Sequence, residues 1–230
     1  MHIEPNSLRY SNDLDYFQDS DARVASAFEK DSARLTETGH QLEIVLDRPG
    51  FVRALISRGA ETTKVEWVHD TAWRFMPLVK SDVAGLMLHP VDLATNKLLA
   101  LVGRDEPRDF LDAMHAHETI LPLGALIWAA AGKDPGFSPA MLLELLRRRG
   151  KLRPEDLARL RLAAPVDLPS LKVRWLDALE RAETFIESAA PDELGCLYYS
   201  ACEERFVMPK VSEECVPHYG RPGGVLPLIG

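Results

Sequence analysis

Thr63-Lys64-Val65-Glu66-Trp67-Val68-His69 alternates apolar and polar side chains with the two-residue period of a β-strand. Val65 and Trp67 fall on one face, and Lys64, Glu66 and Val68 fall on the other. If the apolar pair faces a core, Glu66 projects from the far side of the sheet. Upstream, Asp13-Leu14-Asp15-Tyr16-Phe17 is a second short alternation, ending in aromatics. Between them, residues 19–38 carry Val24, Ala27, Phe28 and Leu35 at helical intervals, with Asp19 or Ser20 as the N-cap and Gly39 as the C-cap. Residues 42–46 and 51–57 read as further strands, and the breakers Pro49-Gly50 and Gly59 divide the run into a meander. One helix among several strands predicts a mixed α+β sheet domain.

From Pro90 the helical period takes over. Asp92 can cap a helix running to Gly103, with Ala94, Leu98, Leu101 and Val102 on its apolar side. Pro107 opens a second helix towards His117, and residues 120–131 predict an apolar helix closed by Gly132. Ser138-Pro139 starts a helix that stops at Gly150, Pro154 opens another, and residues 170–189 form a last one. Residues 191–230 hold five prolines and Gly223-Gly224, so an irregular tail is expected there.

Composition narrows the function. Lys plus Arg is 27 against 35 Asp plus Glu, and the net charge of -8 excludes a globally basic nucleic-acid coat. The odd count of 3 cysteines fits a reducing cytoplasm better than a disulfide framework. Residues 1–6 have neither the basic nor the apolar region of a secretory leader. The apolar run at 120–131, broken by Pro122 and Gly124, falls short of the ~18 residues of a membrane span. A cytoplasmic protein without a membrane partner is the expectation.

Several residues could carry chemistry. Asp13 and Asp15, two apart on a strand, point to one side. Paired acids either share a cation or form a solvated strand end, and Mg2+ is commonly held by one or two carboxylates plus substrate phosphates. Glu66 could join them from a neighbouring strand as a third metal-binding acid, or form a cross-strand pair with Lys or Arg. Lys97 lies at the edge of an apolar helical stripe, where a lysine either snorkels or reaches into a site. Arg104 shares its face, and Arg108 and Asp112 are spaced as an i,i+4 pair beside Asp109. Arg147, Arg148, Arg149, Lys151, Arg153, Arg159 and Arg161 make a basic cluster that either guides an RNA or complements a helix dipole. Cys196, Cys202, Cys215 and His218 could nominally form a Cys3His zinc site, but the spacing is irregular and the cysteines read as reduced structural thiols. His115-x-His117 would splay on a helix and is assigned to the surface.

Arg9-x-Ser11-x-Asp13-x-Asp15-x-Phe17, followed by Asp92-Leu-Ala-x-Asn-Lys97-Leu-Leu-Ala-Leu and Arg104-Asp-Glu-Pro-Arg108-Asp109-Phe-Leu-Asp112, resembles an AbiEii/AbiGii-type nucleotidyltransferase. That family includes toxins of bacterial toxin–antitoxin systems. The resemblance implies a polymerase-β-like mixed sheet followed by a helical C-terminal half. It implies transfer of a nucleotide from an NTP to a hydroxyl of RNA or another acceptor, with Mg2+ and a cognate antitoxin as a possible partner. Asp13 and Asp15 match the metal-binding pair, Glu66 the place of the third acid, Lys97 the lysine near the nucleotide, and Asp109 the later catalytic acid. Arg9, Ser11, Arg104 and Arg108 fall at the substrate-binding positions, with Arg108 and Asp112 bracing Asp109. The expected organisation is a sheet domain at 1–89, a helical part at 90–190 completing the active site, and the tail at 191–230. A Gly-Gly phosphate-binding turn that precedes the first motif in the family has no counterpart in residues 1–8. The sheet domain is therefore expected to be N-terminally short and catalysis impaired. The alternatives are a nucleotide- or partner-binding protein of the same fold and an antibiotic-modifying nucleotidyltransferase.

Overall fold

A computed structural model of the chain describes residues 8–10, 13–82, 85–209 and 214–228. The described residues of Ser11–Ala72 form one compact unit, and those of His2–Tyr10 and Trp73–Gly230 form a second. Together they are mixed α+β, with a mixed sheet and, among the described residues, seven α-helices. Among the described residues no helix is long and apolar enough to cross a membrane.

In the first unit the elements run β1 (Asp13–Gln18), α1 (Asp21–Glu37), β2 (Gln41–Arg48), β3 (Phe51–Arg58) and β4 (Glu61–His69). The strands form one sheet in the order β1-β4-β3-β2. β2, β3 and β4 are the antiparallel meander, whereas β1 lies parallel to β4 after crossing over through α1. Val52, Ala54 and Ile56 of β3 are buried together with Val65 and Trp67 of β4, and α1 covers that face through Val24, Ala27 and Phe28. Ser20 caps α1 by accepting the Arg23 N–H, and Gly39 ends it at φ +82. Gly50 is required twice over: its φ is +73, and a Cβ there would run into the Asp21 carboxylate. Trp67 stands edge-on to Phe28 at 5.1 Å and donates its indole N–H to Asp31 Oδ2 at 2.8 Å.

The second unit begins with short strand pairs: β5 (Trp73–Arg74), β6 (Val79–Ser81) and β7 (Gly85–Met87). Six helices follow: α2 (Pro90–Arg104), α3 (Pro107–Thr119), α4 (Leu123–Lys133), α5 (Pro139–Arg148), α6 (Pro154–Ala158) and α7 (Leu168–Ser188). Proline stands at the opening of α2, α3, α5 and α6, where its missing N–H costs nothing. α4 is buried on every side from Leu123 to Ala131, which explains a run too apolar for an amphipathic helix. It starts at Leu123 and not at residue 120, because Pro122 sits at the N-cap in an extended conformation. Gly132 and Gly195 approach so closely that a Cβ on either would strike the other's backbone.

The tail expected to be irregular is partly sheet. β8 (Leu197–Ser200) lies between β9 (Arg205–Val207) and β10 (Val216–His218), and β11 (Arg221–Pro222) pairs with β5. The proline-rich composition hid these strands because they are short, and Pro217 and Pro222 fall on outer strands, where a lost donor is tolerated. His218 anchors the segment through Nε2 to the Phe75 carbonyl at 2.9 Å.

Trp67 is the keystone of the first unit's core, being 1% exposed. Trp67→Ala is expected to cost about 3–5 kcal/mol, and Trp67→Phe about 1.5–3 kcal/mol for the lost bond to a carboxylate. Urea denaturation midpoints followed by circular dichroism measure both.

Candidate functional site

The parallel register of β1 and β4 sets Asp13 opposite Lys64 and Asp15 opposite Glu66. The antiparallel register of β3 and β4 sets Arg53 opposite Glu66. Because Val65 and Trp67 take the helix-covered face, Lys64 and Glu66 project from the other, as strand alternation requires. The side chains meet there. Lys64 Nζ stands 3.0 Å from Asp13 Oδ2 and 3.0 Å from Glu66 Oε1, and Arg53 Nε donates to the same Glu66 oxygen at 2.7 Å. Burial alone would lower the Lys64 pKa, but its hydrogen bonds to Asp13 and Glu66 and their charges outweigh this and raise it.

Two carboxylate oxygens from adjacent strands thus converge on one cationic centre, with Asp15 in register beside Glu66. Among the described residues no three acids, histidines or thiols converge closely enough to hold a metal as they stand. The donor set nevertheless suits Mg2+, which takes hard oxygen ligands and is satisfied by one or two carboxylates plus phosphates and water. The Lys64 ammonium stands between these two oxygens. Sequence reading placed Lys64 on the acid face without giving it a role. The signal was its spacing of two from Glu66.

The remaining motif residues belong to the second unit. Asp112, on α3, accepts two hydrogen bonds from the Arg9 guanidinium at 2.9 and 2.7 Å and one from Lys97 Nζ at 2.7 Å. Burial pushes the Asp112 carboxyl up, but the charges and hydrogen bonds of Lys97 and Arg9 outweigh it and hold it below its ordinary value. Asp109 is 1% exposed and takes a forked pair of bonds from Arg104, at 2.6 and 2.8 Å. Arg108 lies 2.7 Å from Glu106, and Asp112 turns towards Lys97 of α2 and towards residue 9. The expected bracing of Asp109 by Arg108 and Asp112 is therefore replaced by Arg104 alone among the contacts described. Ser11 lies outside the described residues.

Asp92 is not the cap of α2. His89 holds that place, accepting the Val91 N–H through Nδ1 at 3.3 Å. Asp92 is fully buried and receives the backbone N–H groups of Phe75 at 2.7 Å and Met76 at 3.0 Å. Burial raises its pKa despite those bonds.

The other sequence candidates make the following contacts. Arg147 pairs with Glu183 at 2.6 Å, Arg148 with Glu144 at 2.7 Å, and Arg149 with the Val102 carbonyl at 2.6 Å. His117 is half-buried, not superficial: its Nδ1 accepts the Leu123 N–H at 2.9 Å, satisfying a donor at the start of α4. Burial lowers its pKa. Burial pushes the Cys196 thiol up to about 11, which leaves it protonated and inert at neutral pH. Comparison with family models, curated proteins and solved structures finds no match.

The Asp112 cluster makes a testable pH dependence. Its folded pKa lies below the ordinary 3.8, so its stabilisation is complete above that value and is lost as pH falls through the folded pKa. Asp112→Asn should therefore lower the melting temperature at pH 7 and lose less further stability than the parent between pH 5 and acid, as measured by differential scanning calorimetry. Asp112→Ala, which leaves Arg9 and Lys97 without their shared carboxylate, is expected to cost about 3–5 kcal/mol at neutral pH.

Proposed function

We propose that this chain is a nucleotidyltransferase of polymerase-β-like fold, transferring a nucleotide from an NTP to a hydroxyl of RNA or a similar acceptor. The observation that carries the reading is the convergence of Asp13 and Glu66, from adjacent parallel strands, on a single cationic centre with Asp15 in register beside them. The motif order from Arg9 to Asp112 supports the same class, and with it a role as the toxin of a toxin–antitoxin pair in the cytoplasm.

In this reading Asp13, Asp15 and Glu66 hold Mg2+. When bound, the ion neutralises charge developing on the transferred phosphate and orients the NTP. A carboxylate of the same face accepts the proton of the attacking hydroxyl as its oxygen bonds to the α-phosphorus and pyrophosphate leaves. Lys97 matches the motif lysine that the resemblance assigns as a point charge for phosphate. Its release from Asp112 leaves that buried carboxylate still held by the two Arg9 bonds, so the ammonium can leave without stranding a charge. Asp109 and Arg104 fix the end of α2 against the start of α3 and act through position.

One observation favours a second reading. Lys64 already neutralises Asp13 and Glu66, as expected of a protein that keeps the fold to bind nucleotide or a partner without catalysis. Incubation with labelled NTPs, Mg2+ and total RNA separates the two. Catalysis predicts label transfer that falls roughly a hundredfold or more in Asp13→Asn and Asp15→Asn, with melting temperatures preserved. Absence of transfer from a folded protein that still binds NTP would support the second reading. Lys97→Ala should weaken NTP binding by about tenfold or more, measured by fluorescence anisotropy, while Arg9→Ala should chiefly lower the melting temperature.

A further inference from the structure

Residues 151–162 set leucines inward and cations outward. Leu152 and Leu157 are buried in the core of the second unit, and Leu160 and Leu162 pack against it. Lys151, Arg153, Arg159 and Arg161 are exposed. The three arginines just before them are committed within the fold. Arg147 and Arg148 pair with Glu183 and Glu144 in the last turn of α5, where the helix dipole also favours them. Arg149 binds Asp105 and the Val102 carbonyl. Among the described residues, by contrast, Lys151, Arg153 and Arg159 make no ion pair. Of the acids beside them in sequence, Asp156 accepts the Arg153 backbone N–H at 2.9 Å and Asp167 the Ser170 N–H at 3.4 Å. An aromatic ring joins this surface from the start of the chain. Arg9 is bridged antiparallel to Leu162, and the Tyr10 N–H donates to the Arg161 carbonyl at 2.8 Å. Alternation sends Arg9 inward to Asp112 and Leu162 to the core, and it turns Tyr10 and Arg161 outward together. The Arg161 guanidinium lies over the Tyr10 ring, 5.9 Å from its centroid, and Tyr10 is 39% exposed.

We propose that this surface docks a single-stranded nucleic acid, with Lys151, Arg153 and Arg159 on its phosphates and Tyr10, held by Arg161, stacked on a base. Charge complementarity selects an anion: in residues 151–161 four cations stand against Glu155 and Asp156, in a chain whose net charge is -8. The side chains then choose among anionic partners. The four leucines pack inward, so the surface offers neither the apolar groups that insert into a membrane nor the apolar centre of a protein interface. An exposed tyrosine flanked by cations suits an unstacked base, since every base has a face to offer and a base inside a duplex does not present it. Arg153 and Arg159 bracket the five-residue α6, about 9 Å apart along its axis at ~1.5 Å per residue, so one strand can reach both. Contacts to phosphate position a strand without reading its sequence. The choice of RNA over DNA rests on the nucleotidyltransferase reading, in which the docked strand is the acceptor. Docking itself uses none of the acids on which that reading stands.

The test is fluorescence anisotropy of labelled oligouridylate with the full chain, without NTP or Mg2+, across a salt series. The logarithm of affinity should fall with the logarithm of salt at a slope of about -2, the value for roughly three phosphates on a single strand. Lys151→Gln, Arg153→Gln and Arg159→Gln combined are expected to weaken binding roughly tenfold or more at low salt and to flatten the slope. Tyr10→Ala should weaken it roughly fivefold or more with the slope unchanged, and Tyr10→Phe should restore it. Arg147→Gln with Arg148→Gln, which removes arginines already paired, should stay close to the parent. RNA binding unchanged in the folded triple variant would overturn the inference. So would polyglutamate or phosphatidylserine vesicles that compete as well as unlabelled oligouridylate at equal charge. Oligodeoxythymidylate bound more tightly than oligouridylate would overturn the acceptor role. RNA held by this surface in a protein that transfers no label from NTP would support the docking and overturn catalysis alone. Should the triple variant lose the circular dichroism of the folded chain, acetylation of the parent decides the question. RNA must then protect Lys151 more than Lys172, which is exposed on α7, and equal protection overturns the inference.

Discussion

Parallel pairing of β1 with β4 governs what the first unit can do, since it alone brings the Asp13-Leu14-Asp15 segment beside Lys64-Val65-Glu66. A parallel pair needs a crossover, and α1 supplies it while covering the apolar face of the sheet. Once the register is set, side-chain alternation does the rest. Leu14 and Tyr16 pack on the Val65 and Trp67 side, with the Tyr16 and Trp67 rings 6.2 Å apart. Asp13 and Asp15 consequently share the opposite face with Lys64 and Glu66. A slip of one residue would bury the acids and expose the aromatics, so the same apolar contacts that hold the core also fix the charge array.

Burial separates the carboxylates of this chain into two kinds. Asp92, Asp109 and Asp112 are buried or nearly so, and each is bound to donors: two backbone N–H groups, a forked arginine, and an arginine with a lysine. Removing a donor from such a group is costly, which suits a structural part. Asp13 and Asp15 lie on a more accessible strand. That contrast makes the sheet face, and not the buried helical acids, the place where ligand chemistry is expected in the first instance.

How much of this was legible in the sequence follows from the range of the interactions. The 63–69 alternation correctly separated Trp67 from Glu66, because the pleat is a local property. The caps at Ser20 and Ser138 were legible for the same reason. Asp92 misled, since an acid in a first turn resembles a cap until the Phe75 and Met76 N–H groups are seen to claim it. The Arg9 to Asp112 bond spans 103 positions and leaves no local trace, so the local spacing of Arg108 and Asp112 gave no sign of it. Lys64 lay in plain view. Its role was missed because a lysine on an exposed face normally needs no partner, and its two partners are set by the sheet register.

The most direct test of the account is crystallographic: the full chain with Mn2+ and a non-hydrolysable NTP, with the ion located by its anomalous scattering. The account predicts an anomalous peak bounded by Asp13, Asp15 and Glu66. Lys64 still bridging Asp13 and Glu66, with Mn2+ and nucleotide bound elsewhere or not at all, would contradict it.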